Sequence, residues 1–322
     1  MKEIGGYFEV EFSNIKLGGI HPNAVRLNTA RNCLEYVLLA NGYRKIFVPF
    51  YTCDVVLEPI IKYDLAYEFY PIDKNFEPLE LPLCQPDEAF LYTNYFGVKD
   101  KFVEDLAATM NNLIVDNSQA LFAAPVAGAA TFYSLRKFAG VADGAFLYSK
   151  KRFDFEIEKT TSAQRVSHLY RRKDLDAASG YDFFKENDAS LSGLPITKMS
   201  ASTEAFLQTY DFEKNKIVRE RNFLYLHQRL GAINEINLDV SDLNGPLCYP
   251  FLNKNLNVRE NLIKEGFFVP VYWSNVLEWI DETAEVEKML VAEMLPLPID
   301  HRYAPRDLKF LVESLLSMQL RR

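Results

Sequence analysis

Short apolar runs alternate with helix-like segments over the first half of the chain. Residues 45–49, 66–73, 90–97 and 113–115 have the length and composition of buried strands. Residues 27–40 instead carry apolar positions at three- and four-residue spacing, after a capping residue (Asn28 or Thr29) and before a stop at Gly42. Alternation of this kind, from residue 25 to about residue 150, predicts an α/β fold with a mainly parallel sheet covered by helices.

The second half of the chain predicts one long helix and a smaller α/β unit. Residues 202–230 have helical spacing of apolar positions, and Gly231 is expected to end this helix. A chain of 322 residues usually divides into two domains. We expect a large domain of residues 1–212 and a small C-terminal domain of residues 213–322. Two further strands are predicted in the latter, at 247–251 and 267–271.

Composition and charge exclude some classes of protein. Apolar residues make up 48% and charged residues 25% of the chain, as in an ordinary soluble enzyme. The formal charge of −8 comes without a basic stripe, which argues against a nucleic-acid partner. The basic run 171–173 is interpreted as a solvated helix face, with a clamp for a nucleotide-linked sugar as the alternative. The polar stretch 187–193 predicts a loop.

Targeting and metal signals are missing from the sequence. No run approaches the roughly 20 apolar residues of a membrane helix, and the first residues lack the apolar core of a secretion signal. Four scattered cysteines without a C-x-x-C pair suggest free thiols in a reducing cytoplasm. The four histidines are too far apart to form a metal motif. We therefore expect a cytoplasmic protein with no metal site and no membrane partner.

Asp116 and Lys137 are the main candidates for chemistry. Asp116 ends an apolar run, and Lys137 ends the segment Ser-Leu-Arg-Lys before Gly140. Pyridoxal phosphate chemistry needs a lysine for the Schiff base and a carboxylate that keeps the pyridine nitrogen protonated. The helix start at Thr29 offers a hydroxyl and free N–H groups for a phosphate, although ordinary capping explains the same residues and, taken alone, is the favoured account. Alternatively, Asp116 ends a strand in a turn and Lys137 is a surface charge.

Taken in order, these residues resemble the sugar aminotransferases of the DegT/DnrJ/StrS group. The resemblance covers most of the chain and implies the fold-type I architecture, with a large domain built on a mainly parallel seven-stranded sheet and a smaller C-terminal α/β domain. The matching segments are Thr29-Ala30, 48–52, Phe96-Gly97, Asp116 with Gln119, Ser134 with Lys137, Lys198-Met199-Ser200, 259–271 and 295–299.

The resemblance also implies a cofactor, pyridoxal 5'-phosphate, and a role for each site residue. Lys137 is expected to hold the cofactor as a Schiff base and then to act as general base. The other expected cofactor-binding residues are Asp116 at the ring nitrogen, Gln119 at the ring hydroxyl, Ser134, Thr29 and Ala30 at the phosphate, and Tyr51 or Cys53 beside the ring. The expected partners are a keto-sugar, an amino-acid donor and a second copy of the chain in a homodimer.

Two other functions fit parts of the pattern. A non-catalytic fold-type I scaffold is favoured by three departures from the family. Cys53 occupies the usual aromatic stacking position, the segment between Gln119 and Lys137 is shorter than usual, and Ile196 replaces an Asn that reaches the neighbouring subunit's phosphate. In addition, Ser134 precedes Lys137 by three positions instead of five. A related sugar dehydratase is the third possibility, but the resemblance associates that activity with a histidine in place of the lysine. Lys137 favours the aminotransferase.

Overall fold

The computed structural model describes residues 4–11, 19–153, 156–253, 258–279 and 284–320. The strands are β1 Ile4–Gly5, β2 Val25–Leu27, β3 Lys45–Pro49, β4 Ala66–Tyr70, β5 Glu88–Thr93, β6 Leu113–Asn117, β7 Ala130–Ser134, β8 Ala145–Tyr148, β9 Cys248–Phe251, β10 Phe267–Phe268 and β11 Leu295–Pro298. The helices are α1 Ala30–Asn41, α2 Leu57–Lys62, α3 Asp100–Thr109, α4 Ser167–Asp174, α5 Ala177–Ser190, α6 Ala201–Leu207, α7 Phe212–Leu230, α8 Arg259–Lys264, α9 Val276–Trp279, α10 Glu285–Glu293 and α11 Pro305–Leu320.

Seven strands form one sheet in the order β2-β8-β7-β6-β5-β3-β4. β8 is antiparallel to both of its neighbours, and the other adjacent pairs are parallel. The central strand β6 is buried over its whole length, because both faces of the sheet are covered. The structure thus confirms the predicted α/β fold with a mainly parallel seven-stranded sheet.

Two apolar layers enclose this sheet. On one face, Leu34 and Leu38 of α1 pack with Ile46 and Ile114 of the strands. On the other face, the strands and α3 share a core with α7 and the C-terminal region. Gly42 ends α1 as predicted, in the left-handed conformation with φ 69° and with its N–H directed to the carbonyl oxygens of the last turn.

The C-terminal region contains two small sheets. β9 and β11 are antiparallel, while β10 pairs in parallel with the N-terminal strand β1. The segment 295–299 is therefore a strand followed by a terminal helix, as expected. The proposed boundary between residues 212 and 213 falls in the first turn of α7, and it stays a prediction. No helix in the described ranges is both long and apolar enough to cross a membrane.

Three local predictions were wrong. The helix expected over 202–230 is two helices, α6 and α7, because Asp211 caps a new start by accepting a hydrogen bond from the Lys214 N–H at 2.9 Å. The loop expected over 187–193 begins only after Ser190, since α5 continues to that residue. The basic run 171–173 is a solvated helix face only at Arg171 and Lys173, because the Arg172 side chain is buried and donates to the carbonyl oxygen of Gly5 at 2.8 Å.

Candidate functional site

The candidate residues come together at one edge of the large sheet. β2, β3, β5, β6 and β7 run in the same direction, so their carboxyl ends meet at that edge. Open α/β sheets place their ligand sites in this position. The predicted site residues all lie within the last residues of these strands or in the segments that follow them: Thr29, Ala30, Tyr51, Cys53, Asp116, Gln119, Ser134 and Lys137.

Asp116 is a buried acid near the end of β6. Its side chain is 8% exposed, and Oδ1 accepts a hydrogen bond from the backbone N–H of Ser118 at 2.7 Å. Burial raises the pKa of Asp116 above its usual value, and the nearby charge of Lys137 acts in the opposite direction. The carboxylate is thus held in a site where a cationic partner would stabilise its ionised form.

Lys137 ends a short 3-10 turn, Leu135–Lys137, that follows β7. The lysine is half-buried, and its charge also acts on the thiol of Cys53. Burial raises the pKa of Cys53 to about 11, against the opposing effect of Lys137. Lys137 therefore lies near enough to act electrostatically on both Asp116 and Cys53, and the thiol is protonated at neutral pH.

Gln119 is fully buried and fixed at one end only. Its Oε1 accepts a hydrogen bond from the backbone N–H of Phe96 at 2.8 Å, whereas Nε2 has no partner among the described residues. Gly97 is required here, because a Cβ at that position would lie 2.9 Å from the carbonyl oxygen of Gln119. The aromatic-Gly pair thus holds Gln119 in place and leaves one buried amide donor unused.

The start of α1 forms another part of the site. Thr29 caps the helix, with Oγ1 accepting from the Asn32 N–H at 3.0 Å, and Ala30 is its first residue. Asn28 is fully buried, and neither polar atom of its side chain has a partner within the described ranges. The sequence pattern indicates Asn28 only as a possible cap, and nothing in it marks Asn28 as a site residue. Ser134 is half-buried at the end of β7.

A buried carboxylate fixes the loop that supports Asn28. Asp143 is fully buried and accepts hydrogen bonds from the N–H and hydroxyl groups of Ser200 at 3.0 and 2.9 Å. The adjacent Gly144 N–H donates to the carbonyl oxygen of Asn28 at 2.6 Å. The Met199-Ser200 segment therefore stabilises the start of α1 through Asp143 and Gly144.

Tyr51 lies at the same edge, and its ring packs within an aromatic cluster. The ring is fully buried, edge-on to Trp273 at 4.8 Å and stacked on Tyr95 at 5.8 Å. Ile196 packs against the apolar cluster of α1, and the carbonyl oxygen of Thr197 accepts from the Asn28 N–H at 2.8 Å. The segment that carries Ile196 thus lies beside the helix start of its own chain.

Comparisons with known proteins identify the fold. No protein-family model matches the sequence, and no curated protein matches it either. Among solved structures, DesI "in the presence of its TDP-sugar product" is 16% identical, with 92% of this chain and 80% of that chain covered and a TM-score of 0.65. A DegT DnrJ EryC1 StrS aminotransferase from Brucella abortus is 12% identical, with coverage of 94% and 87% and a TM-score of 0.62.

A dehydratase has the same architecture. The E. coli GDP-4-keto-6-deoxy-D-mannose-3-dehydratase with bound hydrated PLP is 13% identical, with 92% of this chain and 88% of that chain covered and a TM-score of 0.59. These similarities confirm the fold-type I architecture predicted from the sequence, over nearly the whole chain. At such low identity, activity and substrate have to be argued from the site.

Proposed function

We propose that this protein is a pyridoxal-phosphate-dependent aminotransferase that acts on a nucleotide-linked keto-sugar, in surface polysaccharide or related sugar biosynthesis. The observation that carries the proposal is the proximity of the buried acid Asp116 to Lys137, at the carboxyl edge of a fold-type I sheet. The substrate class is supported by the fold shared with DesI, whose structure was determined in the presence of its TDP-sugar product.

The unused polar groups of the site fit pyridoxal phosphate. Asp116 would hold the ring nitrogen, and the free Nε2 of Gln119 is a donor for the ring hydroxyl. Thr29 and Ala30 at the start of α1, together with Ser134, would hold the phosphate. Buried donors and acceptors without partners are costly, so a ligand that satisfies them accounts for their presence.

The chain's own residues would bind the cofactor and move a proton. A bound pyridoxal phosphate supplies an electron-withdrawing ring that stabilises negative charge on the reacting carbon. Asp116 would keep the ring nitrogen protonated, which would maintain that withdrawal. Lys137 would act as the positioned general base, taking up and returning at Nζ the proton of the substrate carbon that carries the amine. Cys53 adds no charge at neutral pH, because its thiol is protonated.

The alternative is a non-catalytic scaffold, and the position of Tyr51 favours it. The ring of Tyr51 packs on Tyr95 and Trp273, while Cys53 takes the place of the usual aromatic residue. Stacking on the cofactor ring would then be lost, and binding would depend on the groups named above. The dehydratase interpretation is disfavoured because Lys137 stands where the resemblance associates that activity with a histidine.

Absorbance spectroscopy of the purified protein with added pyridoxal phosphate distinguishes the two functions. We expect a visible absorption band that disappears on addition of an amino-acid donor and returns on addition of a nucleotide-linked keto-sugar. Lys137→Ala is the control and should show no such band. A wild-type protein that gives no band would refute the enzymatic proposal and support the scaffold.

We also propose that the protein is a cytoplasmic homodimer. The proposal rests on the family resemblance and on the high aromatic content of 14%, since interfaces favour aromatic residues. Sedimentation at micromolar concentration tests it. A monomer that binds the cofactor at full occupancy would contradict both the dimer and a site shared between subunits.

A further inference from the structure

We propose that Tyr210, Asn215 and Arg219 are positioning residues that hold Lys137 in place through its neighbour Phe138. The inference rests on the proposed function, since it gives these residues a role only if Lys137 is the catalytic group. None of the three belongs to the residues that surround the cofactor in the proposal. Tyr210 precedes α7, and Asn215 and Arg219 lie one turn apart within it.

The carbonyl oxygen of Phe138 accepts two buried hydrogen bonds. The hydroxyl of Tyr210 donates to it at 3.0 Å, and the side-chain amide of Asn215 donates at 3.2 Å. The amide of Asn215 also lies 2.5 Å from the hydroxyl of Tyr210. Phe138 follows Lys137 directly, so these two donors fix the peptide group next to the lysine.

The ring of Phe138 is held by a buried cation. Arg219 is fully buried, with its guanidinium 4.6 Å from the centre of the Phe138 ring. Its Nε donates to Oδ1 of Asn215 at 2.6 Å, and Nη1 donates to the carbonyl oxygens of Pro246 and Leu247 at 3.1 and 2.9 Å. Burying a cation is unfavourable unless it is well bonded, which suggests a specific use for Arg219.

A second set of contacts holds Gly140, at the end of the short segment that follows Lys137. The N–H of Gly140 donates to a carboxylate oxygen of Glu11 at 3.3 Å, and the other oxygen of Glu11 lies 2.5 Å from Nε2 of His301. That nitrogen is 3.4 Å from the hydroxyl of Tyr210. A continuous path therefore runs from the carbonyl of Phe138 to the N–H of Gly140, and both ends of the segment after Lys137 are anchored.

The turn needs this external support because it is short. Leu135–Lys137 is a three-residue 3-10 turn, closed by the N–H groups of Phe138 and Ala139 on the carbonyl oxygen of Leu135 at 2.9 and 3.1 Å. Such turns have poorer hydrogen-bond geometry than an α-helix. A lysine side chain is long and flexible, so the position of its Nζ depends on a fixed backbone. Misplacement of a reacting group by about 1 Å can lower the rate about 100-fold.

The test compares two Tyr→Phe variants that each remove one buried hydroxyl. Tyr210→Phe deletes a donor to the Phe138 carbonyl. Tyr249→Phe is the matched control, since its hydroxyl contacts His227 and Asn234 at 3.3 Å and does not contact the turn. The first readout is hydrogen–deuterium exchange of residues 134–141 in the cofactor-free proteins. The second is kcat and KM of the cofactor-loaded proteins.

In Tyr210→Phe, we expect the backbone amides of residues 134–141 to exchange about tenfold faster than in wild type. We expect kcat to fall about tenfold, with KM nearly unchanged. The control should match wild type in both readouts. Arg219→Met is a second variant that keeps the side-chain volume, and it should show the same pattern. Unchanged exchange and kcat in both variants, in an active wild type, would refute the inference alone. A wild-type protein without a cofactor band would refute the proposed function as well.

Discussion

Gly140→Ala tests the contact between the N-terminal segment and residues 138–140, which directly follow Lys137. A Cβ at this position would lie 1.9 Å from the carbonyl oxygen of Glu9 and 3.0 Å from its carbonyl carbon. Ordinary contacts of this kind begin at 3.4 Å. Gly140 is not among the residues with positive φ, so alanine brings no backbone strain of its own there. The effect is therefore purely steric.

The magnitude follows from the two ways of relieving this clash. The first is that the backbone stays in place and the protein accepts the strain, which destabilises an overpacked site by about 1–3 kcal/mol. Otherwise the segment moves and loses the hydrogen bond from Val10 N–H to Leu169 at 3.0 Å and the bond from Arg302 to the Tyr7 carbonyl at 2.8 Å. These two bonds contribute about 3 kcal/mol together. We expect a loss of about 2–3 kcal/mol in the stability of the segment.

Hydrogen exchange at the Val10 amide measures this loss directly. A change of 2–3 kcal/mol corresponds to an increase of about 100-fold in the exchange rate. Gly231→Ala is the control, because its new Cβ would meet only the flexible ring of His227, at 3.0 Å or more. Wild-type protection of Val10 in Gly140→Ala would show that the segment does not pack on the turn as described.

Two further predictions concern buried ionisable groups. Burial raises the pKa of Asp116, so the folded cofactor-free protein loses stability as pH rises through that pKa. Asp116→Asn should therefore unfold at a higher denaturant concentration than wild type at pH 8, but not at pH 4. Equal stability of Asp116→Asn and wild type at pH 8 would contradict this account. The same variant should also lose most transaminase activity. Burial lowers the pKa of His168 to about 4, from 6.5, with Arg136 adding to the effect. Stability should therefore fall as pH decreases from 6.5 to 4, and His168→Gln should flatten this dependence in urea unfolding; an equally steep fall in the variant would contradict it.

The sequence predicted the large sheet because its signals are local. Continuous apolar runs such as 113–115 occur where a strand is covered on both faces, and the segments between them have helical spacing. The left-handed Gly42 ended α1 for the same local reason. The proximity of Asp116 to Lys137 also follows from this pattern, since Asp116 lies near the end of β6 and Lys137 follows the neighbouring parallel strand β7.

Features that depend on distant contacts could not be predicted. β1 pairs with β10, which lies more than 250 residues later, and no periodicity indicates this pairing. Arg172 appeared to be a surface charge because its partner, the carbonyl of Gly5, belongs to that same distant segment. The packing of the Tyr51 ring against Trp273 is another such contact, because the two residues lie more than 200 positions apart in the sequence. The contacts on Phe138 are equally nonlocal.

The central claim is that Lys137 is the residue that holds the cofactor. Borohydride reduction of the protein loaded with pyridoxal phosphate, followed by proteolysis and peptide mass mapping, tests it most directly. The account predicts one labelled peptide with the modification on Lys137, and no label in Lys137→Ala although that variant remains folded. A label on any other lysine of the wild-type protein, or no label at all, would contradict the claim.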